Sequence, residues 1–420
     1  MPGCALPGTP LADALPGINA CVHCGFCLQA CPTYLNLEDE NDSPRGRIFL
    51  MRSLLEGTVK PDDPSVQQHI DQCLGCRACE PVCPSGVPYG QLLEATRATL
   101  REYKPVPLIA RVILFVFARA WLLRPAMFFS RILAATPIPT LLSGVKGRMG
   151  FAMAMLASTG RSIERSRYQV VTHGERGSVA TLRGCVMEGL FAATNRATER
   201  VLGVNGYSMV DAPGQQCCGA LHAHAGDLDN ARMLARRNIA AFEQSGAQFI
   251  AVNAAGCGAI MKEYGHLLKD DPAWHERAAN MSARVRDVSE LLAAAGPRQG
   301  GPLPIRVTYD APCHLQHAQR VTQAPLAVLA AIPGLDLVPL HDSDQCCGSA
   351  GIYNLIEPET SDAVLAPKLA NIRATRAPFV ATGNPGCLMQ IGAGLIRAEI
   401  AARPIHPVDL LDASYAAFGQ

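Results

Sequence analysis

Cysteine is concentrated in two short and nearly identical segments of this chain. Residues 21–32 read CVHCGFCLQACP and residues 73–84 read CLGCRACEPVCP, so both have the form C-x2-C-x2-C-x3-C-P. Gaps of two residues let three thiolates of one run curl around a common centre, and the proline after the fourth cysteine stops a helix from continuing through it. The two runs therefore predict a pair of compact metal-binding loops.

The spacing is that of the bacterial ferredoxin run, which binds cubic [4Fe–4S] clusters. Three cysteines of a run reach three irons of one cube, and the fourth cysteine of each run ligates the cluster of the other run. We therefore expect two clusters in one small domain. Cluster 1 is assigned to Cys21, Cys24, Cys27 and Cys83, and cluster 2 to Cys31, Cys73, Cys76 and Cys79.

Zinc is the competing metal, because C-x2-C pairs also build zinc ribbons. Zinc sites usually combine two such pairs, and four ligands per ion would leave the x3-C-P tails without a purpose. The spacing therefore favours iron. A structural zinc protein that serves as an assembly scaffold is kept as an alternative.

Composition limits the class of protein and its compartment. The 420 residues, 49% of them hydrophobic, are enough for two or three domains. The 37 basic and 36 acidic residues nearly cancel, so we expect no nucleic-acid partner. Seventeen cysteines, and an N-terminus without the features of a secretory signal, indicate a cytoplasmic, reducing location in which thiols bind metal or carry redox chemistry.

A helix is predicted between the two cysteine runs, over residues 42–57, within a ferredoxin domain at residues 1–104. Arg45 and Arg47 near its start either offset the negative charge of the thiolate clusters or belong to a solvated helix end. Both interpretations stay open at this point. The apolar residues of this helix fall at helical spacing and are expected to shield the clusters from solvent: Ile48, Phe49, Met51, Leu54 and Leu55.

Residues 105–175 are expected to form an apolar helical connector. Within residues 105–135 the longest run free of charge, Val112 to Ala118, has seven residues, whereas a transmembrane helix needs about 20. Arginines lie among the aromatic residues of this segment, which suits a helix on a membrane surface or against a partner subunit. A buried connector helix whose arginines reach out to solvent is the alternative.

The second half of the chain contains an internal repeat. Cysteines recur there in one order: a single cysteine, an adjacent pair followed by glycine, and another single cysteine. The first gap is 32 residues in one half and 33 in the other, and the second gap is 39 and 40 residues. The matching offsets predict a duplicated α/β domain at residues 176–300 and 301–420, each with three strand–helix pairs.

The cysteines of each half follow predicted strands, and parallel α/β sheets place ligand sites at the carboxyl ends of their strands. Four thiols are therefore expected to converge in each half as a candidate redox or metal site, in preference to inert core cysteines. The first set is Cys185, Cys217, Cys218 and Cys257, and the second is Cys313, Cys346, Cys347 and Cys387.

The chain resembles the iron–sulfur subunits of glycolate oxidase, also called glycolate dehydrogenase. The matching pieces are CVHCGFCLQACPTY, DSPRGRI, CLGCRACEPVCPSGVPYG, APGQQCCGALH with VNAAGCG, and DQCCGSAGIYN with GNPGCLMQI. The ferredoxin runs are shared with anaerobic glycerol-3-phosphate dehydrogenase and with lactate-utilisation proteins. The fold class expected is α + α/β: a mainly helical two-[4Fe–4S] ferredoxin domain followed by two duplicated α/β CCG domains with parallel strands.

The resemblance implies a subunit that takes electrons from flavin-containing partner subunits, where glycolate becomes glyoxylate, and passes them to a quinone or another membrane electron acceptor. FAD is expected on the partner subunits only, because this chain shows no G-x-G-x-x-G fingerprint between a strand and a helix. We expect no catalytic residue here, and His222, His224 and His314 are kept out of the catalytic set. The chain is expected in the cytoplasm or peripheral on the inner face of the cytoplasmic membrane.

The duplicated domains also resemble the CCG domains of heterodisulfide reductase, where five cysteines ending in C-x2-C hold an unusual cluster. Ile260 and Gln390 stand where the fifth cysteine would be, which leaves a four-ligand cluster or a thiol site open. Two alternative functions follow from these resemblances. They are an iron–sulfur subunit of a related lactate or glycerol-3-phosphate dehydrogenase, and a heterodisulfide reductase-like thiol/disulfide enzyme.

Overall fold

The N-terminal region is helical and is interrupted by the two cysteine runs. A computed structural model describes residues 4–160, 163, 168, 170 and 174–418. The elements of this region are α1 (Pro10–Asp13), α2 (Leu15–Asn19), α3 (Pro32–Leu37), a 3₁₀ turn (Glu40–Asp42), α4 (Pro44–Glu56), α5 (Pro64–Asp71) and α6 (Tyr89–Leu100). Proline stands at the first or second position of α3, α4 and α5, where its missing N–H costs no hydrogen bond.

The helix predicted between the cysteine runs is confirmed as α4. Its hydroxyl cap, Ser43, accepts a hydrogen bond from the Gly46 amide, and Gly57 ends the helix with a φ of 75°. Four of the five predicted apolar residues are buried, but Phe49 is 58% exposed. The expectation for Phe49 was wrong because, at 100° per residue, it falls outside the arc that the other four share.

The described part of the connector contains four helices, α7 (Leu108–Phe117), α8 (Ala120–Ala134), α9 (Ile138–Leu142) and α10 (Arg148–Ala157). Among the described residues, no single helix is long and apolar enough to cross a membrane, and α7 and α8 reach that length only together, with a bend of 107° between them. Trp121 is 70% exposed, and Val112, Phe115, Phe128 and Phe129 are also exposed. The alternative of a buried connector is therefore wrong for these faces.

Each half of the duplicated region contains a four-stranded parallel sheet. The first half contains β1 (Ser178–Thr181), α11 (Val186–Leu190), α12 (Ala192–Val204), β2 (Ser208–Met209), α13 (Ala220–His224), α14 (Leu228–Gln244), β3 (Phe249–Val252), α15 (Ala255–Lys262), α16 (Tyr264–Leu267), α17 (His275–Ser282), β4 (Val285–Asp287) and α18 (Val288–Ala295). The second half contains β5 (Arg306–Tyr309), a π-helical turn (His314–Ala318), α19 (Gln323–Ala330), β6 (Asp336–Val338), α20 (Tyr353–Ile356), α21 (Pro358–Thr375), β7 (Phe379–Ala381), α22 (Pro385–Arg397), β8 (Arg403–Ile405) and α23 (Pro407–Phe418).

The strand orders β2-β1-β3-β4 and β6-β5-β7-β8 are the same in the two halves. The repeat inferred from the cysteine offsets is therefore a repeat of topology. Each half has a fourth strand that the prediction of three strand–helix pairs omitted. Strands β4 and β8 read VRD and RPI, with charged residues in place of a continuous apolar run, and no cysteine of the repeat directly follows either strand.

The two sheets face each other across the carboxyl ends of their central strands. The Ala255 amide, just after β3, donates to the Gly383 carbonyl oxygen, just after β7, at 3.1 Å. His406 Nε2 lies 2.9 Å from the Asn253 carbonyl oxygen, and one apolar core contains residues of both sheets, such as Val179 and Val307. Both cysteine sets therefore lie near the same junction.

Candidate functional site

Cysteines of both N-terminal runs surround a single cavity. Its lining includes Cys21, Cys24 and Cys27 from the first run and Cys83 from the second. These are the four residues assigned to cluster 1, and Cys79 of the other assignment also lines the cavity. The structure thus brings together thiols of two runs that are about 60 residues apart in the sequence, and the assignment of each thiol to one of two cross-ligated clusters stays a prediction.

The two loops share a backbone conformation that the cysteine spacing did not predict. In the first run His23 and Gly25 have φ of 54° and 87°, and in the second run Gly75 and Arg77 both have φ of 63°. Left-handed residues therefore occur at the same two positions of each run, between successive cysteines. Alternation of this kind turns backbone N–H groups towards a shared concavity, which favours a negatively charged group inside it.

The thiols assigned to cluster 2 are more deeply placed. Cys31, Cys73 and Cys79 are buried. Burial, and then the neighbouring Cys73 and Cys31, raise the pKa of Cys79, and the Gly75 amide donates to Cys73 Sγ at 3.4 Å. Cys76 and Cys313 both pack against an apolar cluster that contains Leu74 of the second cysteine run and Cys346 of the second CCG half, so Cys76 lies at the boundary between the two domains.

Arg47 is a completely buried cation beside the cluster 2 thiols. Its Nη2 lies 2.9 Å from Asp42 Oδ1, its Nη1 donates to Thr33 Oγ1 at 3.0 Å, and its Nε donates to the His69 carbonyl oxygen at 2.6 Å. Burial would lower its pKa, but the nearby Cys73 and other negative groups outweigh this and raise it. The interpretation of a solvated helix end is therefore wrong for Arg47.

Arg45 differs from Arg47 although it lies on the same helix. Its side chain is 31% exposed and pairs with Glu40 at 2.6 Å. It also lies next to Gly25 of the first cysteine run, where an added Cβ would approach Arg45 Nη1 to 2.8 Å. Arg45 thus stays at the surface of the loop.

In each CCG half the four thiols form a continuous chain. Cys185 interacts with Cys217, Cys217 with Cys218, and Cys218 with Cys257. The second half repeats this order, with contacts from Cys313 to Cys346, Cys346 to Cys347 and Cys347 to Cys387. These hydrogen bonds and burial raise the pKa of the Cys185, Cys313 and Cys387 thiols. The predicted convergence of four thiols is confirmed in both halves.

The two chains of thiols differ in their electrostatic surroundings. Beside the second set, Lys368 Nζ lies 2.6 Å from Asp310 Oδ1, and both side chains are 2% exposed. Burial alone would lower the pKa of Lys368. The neighbouring Asp310, with Cys347 and Cys387, outweighs this effect and raises the pKa. At the matching place in the first half, the neutral Asn238 donates to the Cys217 carbonyl oxygen at 3.0 Å.

The positions of the missing fifth cysteines contain residues that are committed to the fold. Ile260 is buried in the first core. Gln390 is buried, accepts a hydrogen bond from Asn354 Nδ2 at 2.8 Å and donates to Ser361 Oγ at 2.9 Å. Neither side chain is free to act as a ligand.

The three histidines near the cysteines have structural partners. His222 Nε2 is 3.0 Å from the Leu114 carbonyl oxygen, and His314 Nε2 is 3.0 Å from the Gly75 carbonyl oxygen in the second cysteine run. Burial lowers the pKa of His222, and burial followed by the neighbouring His224 lowers that of His314 to about 3. His224 Nδ1 lies 2.9 Å from Glu94 Oε1.

Comparison with known proteins agrees with this arrangement. A family model described as a 4Fe-4S dicluster domain matches residues 17–87, and the model of a cysteine-rich domain, CCG, matches residues 179–262 and 307–392. The N-terminal region is therefore a [4Fe–4S] dicluster domain, as the spacing of its cysteines predicted. The expected fold class, α + α/β with two CCG domains, is confirmed.

Relatives match over nearly the whole length. The probable glycolate oxidase iron–sulfur subunit of Bacillus subtilis is 38% identical over 411 residues, covering 93% of this chain and 92% of that protein. The glycolate oxidase iron–sulfur subunit of Escherichia coli is 36% identical, covering 90% and 89%. Lactate utilization protein A of Geobacillus thermodenitrificans is 27% identical and covers 54% of this chain. With its dicluster domain and two CCG domains in the same order, the chain belongs to the family of glycolate oxidase iron–sulfur subunits.

Proposed function

We propose that this chain is the electron-transfer subunit of a flavin-dependent glycolate dehydrogenase. It receives electrons from FAD on partner subunits, where glycolate is oxidised to glyoxylate, and delivers them to a quinone-type acceptor. The observation that carries the proposal is the single cavity lined by Cys21, Cys24, Cys27 and Cys83. Cysteines of two distant runs meet there as a cross-ligated pair of clusters requires.

The donor sets suit iron–sulfur clusters. Cys21, Cys24, Cys27 and Cys83 would hold one cube and Cys31, Cys73, Cys76 and Cys79 the other. A [4Fe–4S] cluster takes up and releases one electron at a time, with a potential set by burial, charge and hydrogen bonds to sulfur. This chain supplies those influences through the Gly75 amide, the buried Arg47 and the closed packing around Cys73 and Cys79.

The face at which electrons enter is proposed around the first cysteine run. Cys24 is exposed, and Val22, Phe26 and Phe49 beside it are 68%, 67% and 58% exposed. Apolar residues that are grouped on a surface usually mark a contact with another protein. This group is therefore assigned to the flavin-containing partner.

Each CCG half is proposed to hold a further four-thiolate iron–sulfur centre. The chains of four thiols described above present the required donors, without a fifth ligand. The second of these centres would adjoin cluster 2, because Cys76 and Cys313 pack against one apolar cluster that also contains Cys346.

The connector is proposed to rest on the inner face of the cytoplasmic membrane. Its outer surface presents Trp121, Phe128 and Phe129 among other exposed apolar residues. Residues 105–160 contain six basic residues and no acidic residue, which complements the negative charge of anionic lipid headgroups. The basic residues are Arg111, Arg119, Arg124, Arg131, Lys146 and Arg148.

The test is anaerobic purification of the chain with its flavin partners, followed by iron and sulfide quantification and electron paramagnetic resonance. Two [4Fe–4S] clusters give about eight irons per chain, and occupied CCG halves raise that number. The reduced complex is expected to show two magnetically coupled cubes. A complex that oxidises glycolate at full rate while free of iron refutes the proposal, and one isolated cube refutes the cross-ligation.

A further inference from the structure

A cavity of about 140 Å³ lies where the ferredoxin domain, both CCG halves and the start of the connector meet. Its lining is predominantly apolar and includes Leu74, Val106, Ala110, Leu221 and Ile356. For comparison, an apolar cavity of about 150 Å³ in a protein core binds one benzene molecule. The cavity therefore has the size and character to hold a single ring of a small aromatic or quinonoid molecule.

Two polar side chains that line this cavity carry buried nitrogen atoms without a hydrogen-bond partner. They are Arg101, at Nη1, and His224, at Nε2. Nδ1 of His224 faces the Glu94 carboxylate at 2.9 Å, which only accepts, so Nδ1 is the donor in that contact and Nε2 is the nitrogen without a partner. Buried polar atoms without partners call for an explanation, and a bound molecule supplies one. Arg101 would donate to a carbonyl oxygen of the bound molecule, and His224 Nε2 would pair with its second oxygen.

The position of the cavity narrows the class of molecule. Cys73, assigned to cluster 2, lines one side, and Pro105, Pro107 and Ala110, around the first turn of α7, line another. The outer face of the same helix exposes Leu108, Val112 and Phe115. A molecule bound here would touch a cluster ligand and would reach the site along the most apolar surface of the chain.

We infer that this cavity is the site at which the head group of a lipid-soluble quinone binds and is reduced. The inference rests on the proposed electron-transfer function and adds the place where electrons leave. Reduction of one quinone to quinol takes up two electrons, which oxidation of the hydroxy acid supplies, and two protons, which come from water at the cavity mouth. The carbonyl oxygens that become hydroxyls would face Arg101 and His224.

The first experiment measures binding and does not depend on turnover. The intact complex with its flavin partners is illuminated with a short-chain azidobenzoquinone, and the labelled peptides are identified by mass spectrometry. Label is expected on peptides that contain residues 105–110, 221–225 or 352–357, and an excess of unmodified short-chain benzoquinone should remove it. Label confined to other parts of the complex, or label displaced by glycolate but not by the quinone, overturns the inference.

The second experiment fills the cavity. Ile356→Trp places an indole ring in the cavity. Leu355→Trp introduces the same side chain at the neighbouring residue of α20, which is similarly half-buried and does not line the cavity. For Ile356→Trp we expect at least about a tenfold fall in labelling and in the ratio of quinone reduction to dye reduction. The Leu355→Trp control should keep both values, and equal behaviour of the two variants overturns the inference.

Dye reduction separates this inference from the proposed function. If the complex oxidises glycolate and reduces a soluble dye but is labelled elsewhere, only the inference of the quinone site is refuted. If removal of the ferredoxin cysteines leaves dye reduction unaffected, the proposed electron-transfer function itself is refuted.

Discussion

At the scale of single residues, Arg47 shows how a charge is used in the ferredoxin domain. The guanidinium of Arg47 has no exposed surface and is stabilised by Asp42, by Thr33 and by the neighbouring Cys73. Its burial was foreseeable in part, since Arg47 shares a helical face with Met51 and Leu54. The partner could not be foreseen, because Asp42 reaches it only after the 3₁₀ turn folds back.

The first prediction concerns that cation. Arg47→Met removes the guanidinium partner of the buried Asp42 carboxylate and leaves it with His69 Nδ1, at 3.2 Å, and breaking a buried pair costs about 3–5 kcal/mol. We expect a corresponding fall in the free energy of unfolding, measured by denaturant titration, and a more negative cluster 2 potential in an electron paramagnetic resonance titration. The control is Arg45→Met on the same helix, whose exposed ion pair contributes less than about 1 kcal/mol. Equal losses in the two variants contradict the assignment.

A second prediction concerns His406 at the junction of the two CCG halves. Burial lowers its pKa to about 4, whereas the unfolded chain titrates near 6.5. The unfolded state therefore binds the extra proton, and the stability present above pH 6.5 is lost as the pH falls towards 4. Between pH 7 and pH 5 the loss is about 2 kcal/mol.

The measurement is urea unfolding of the full chain at pH 7 and pH 5. His406→Gln, which cannot be protonated, should lose less stability over this interval than the unmodified chain. Burial raises the pKa of nearby Asp409 to about 7, which acts in the opposite direction, but that group is present in both proteins. His341→Gln, at an exposed histidine, should reproduce the unmodified chain. If His406→Gln loses more stability than the unmodified chain between pH 7 and pH 5, the prediction is wrong.

At the scale of elements, sequence patterns predicted some helices and strands and missed others for identifiable reasons. The spacing of Ile48, Met51 and Leu55 was sufficient for α4, because one face of a helix must be apolar to pack. Strands β4 and β8 were missed because their sequences, VRD and RPI, contain charged residues and directly precede no cysteine of the repeat. The left-handed conformations at His23 and Arg77 have no local sequence signal, because neither residue is glycine.

A third prediction concerns α8 of the connector. Replacing both Trp121 and Phe128 by Ser should lower binding to anionic phospholipid vesicles by at least about tenfold in a flotation assay, because each large apolar side chain contributes about 1.5–3 kcal/mol when buried. Binding of the unmodified chain should weaken as salt is added. Phe418→Ser, at another exposed aromatic residue, should bind as the unmodified chain does. Unchanged flotation of the double variant would argue for a protein partner on this face.

At the scale of the whole molecule, duplication produced two thiol sets of equal geometry in unequal surroundings. The matching gaps between cysteines in the two halves were enough to predict two α/β domains with converging thiols. It could not reveal that only the second set contacts the ferredoxin domain among the contacts described, through Cys76 and Cys313. That contact depends on how the domains dock, which no local spacing encodes.

A fourth prediction compares equivalent cysteines of the two halves. Cys346→Ser should alter the electron paramagnetic resonance spectrum of the reduced N-terminal clusters, because its thiol adjoins the loop of cluster 2. Cys217→Ser, its counterpart in the first half, should leave that spectrum as it is. Identical spectra from both variants would mean that the second thiol set is not coupled to the ferredoxin domain.

The segment from Gln72 to Arg77 also fastens the rest of the molecule. Gln72 and Gly75 offer carbonyl oxygens to Tyr353 and His314, and Arg77 pairs with Glu263. The loop that would hold cluster 2 is therefore an anchor for both distant domains, and a metal bound by such a loop would also stabilise the fold. Insertion of the cluster would therefore also stabilise the packing of the domains against one another. A cell that is short of iron would accumulate loosened, protease-sensitive chains in place of intact but inactive ones.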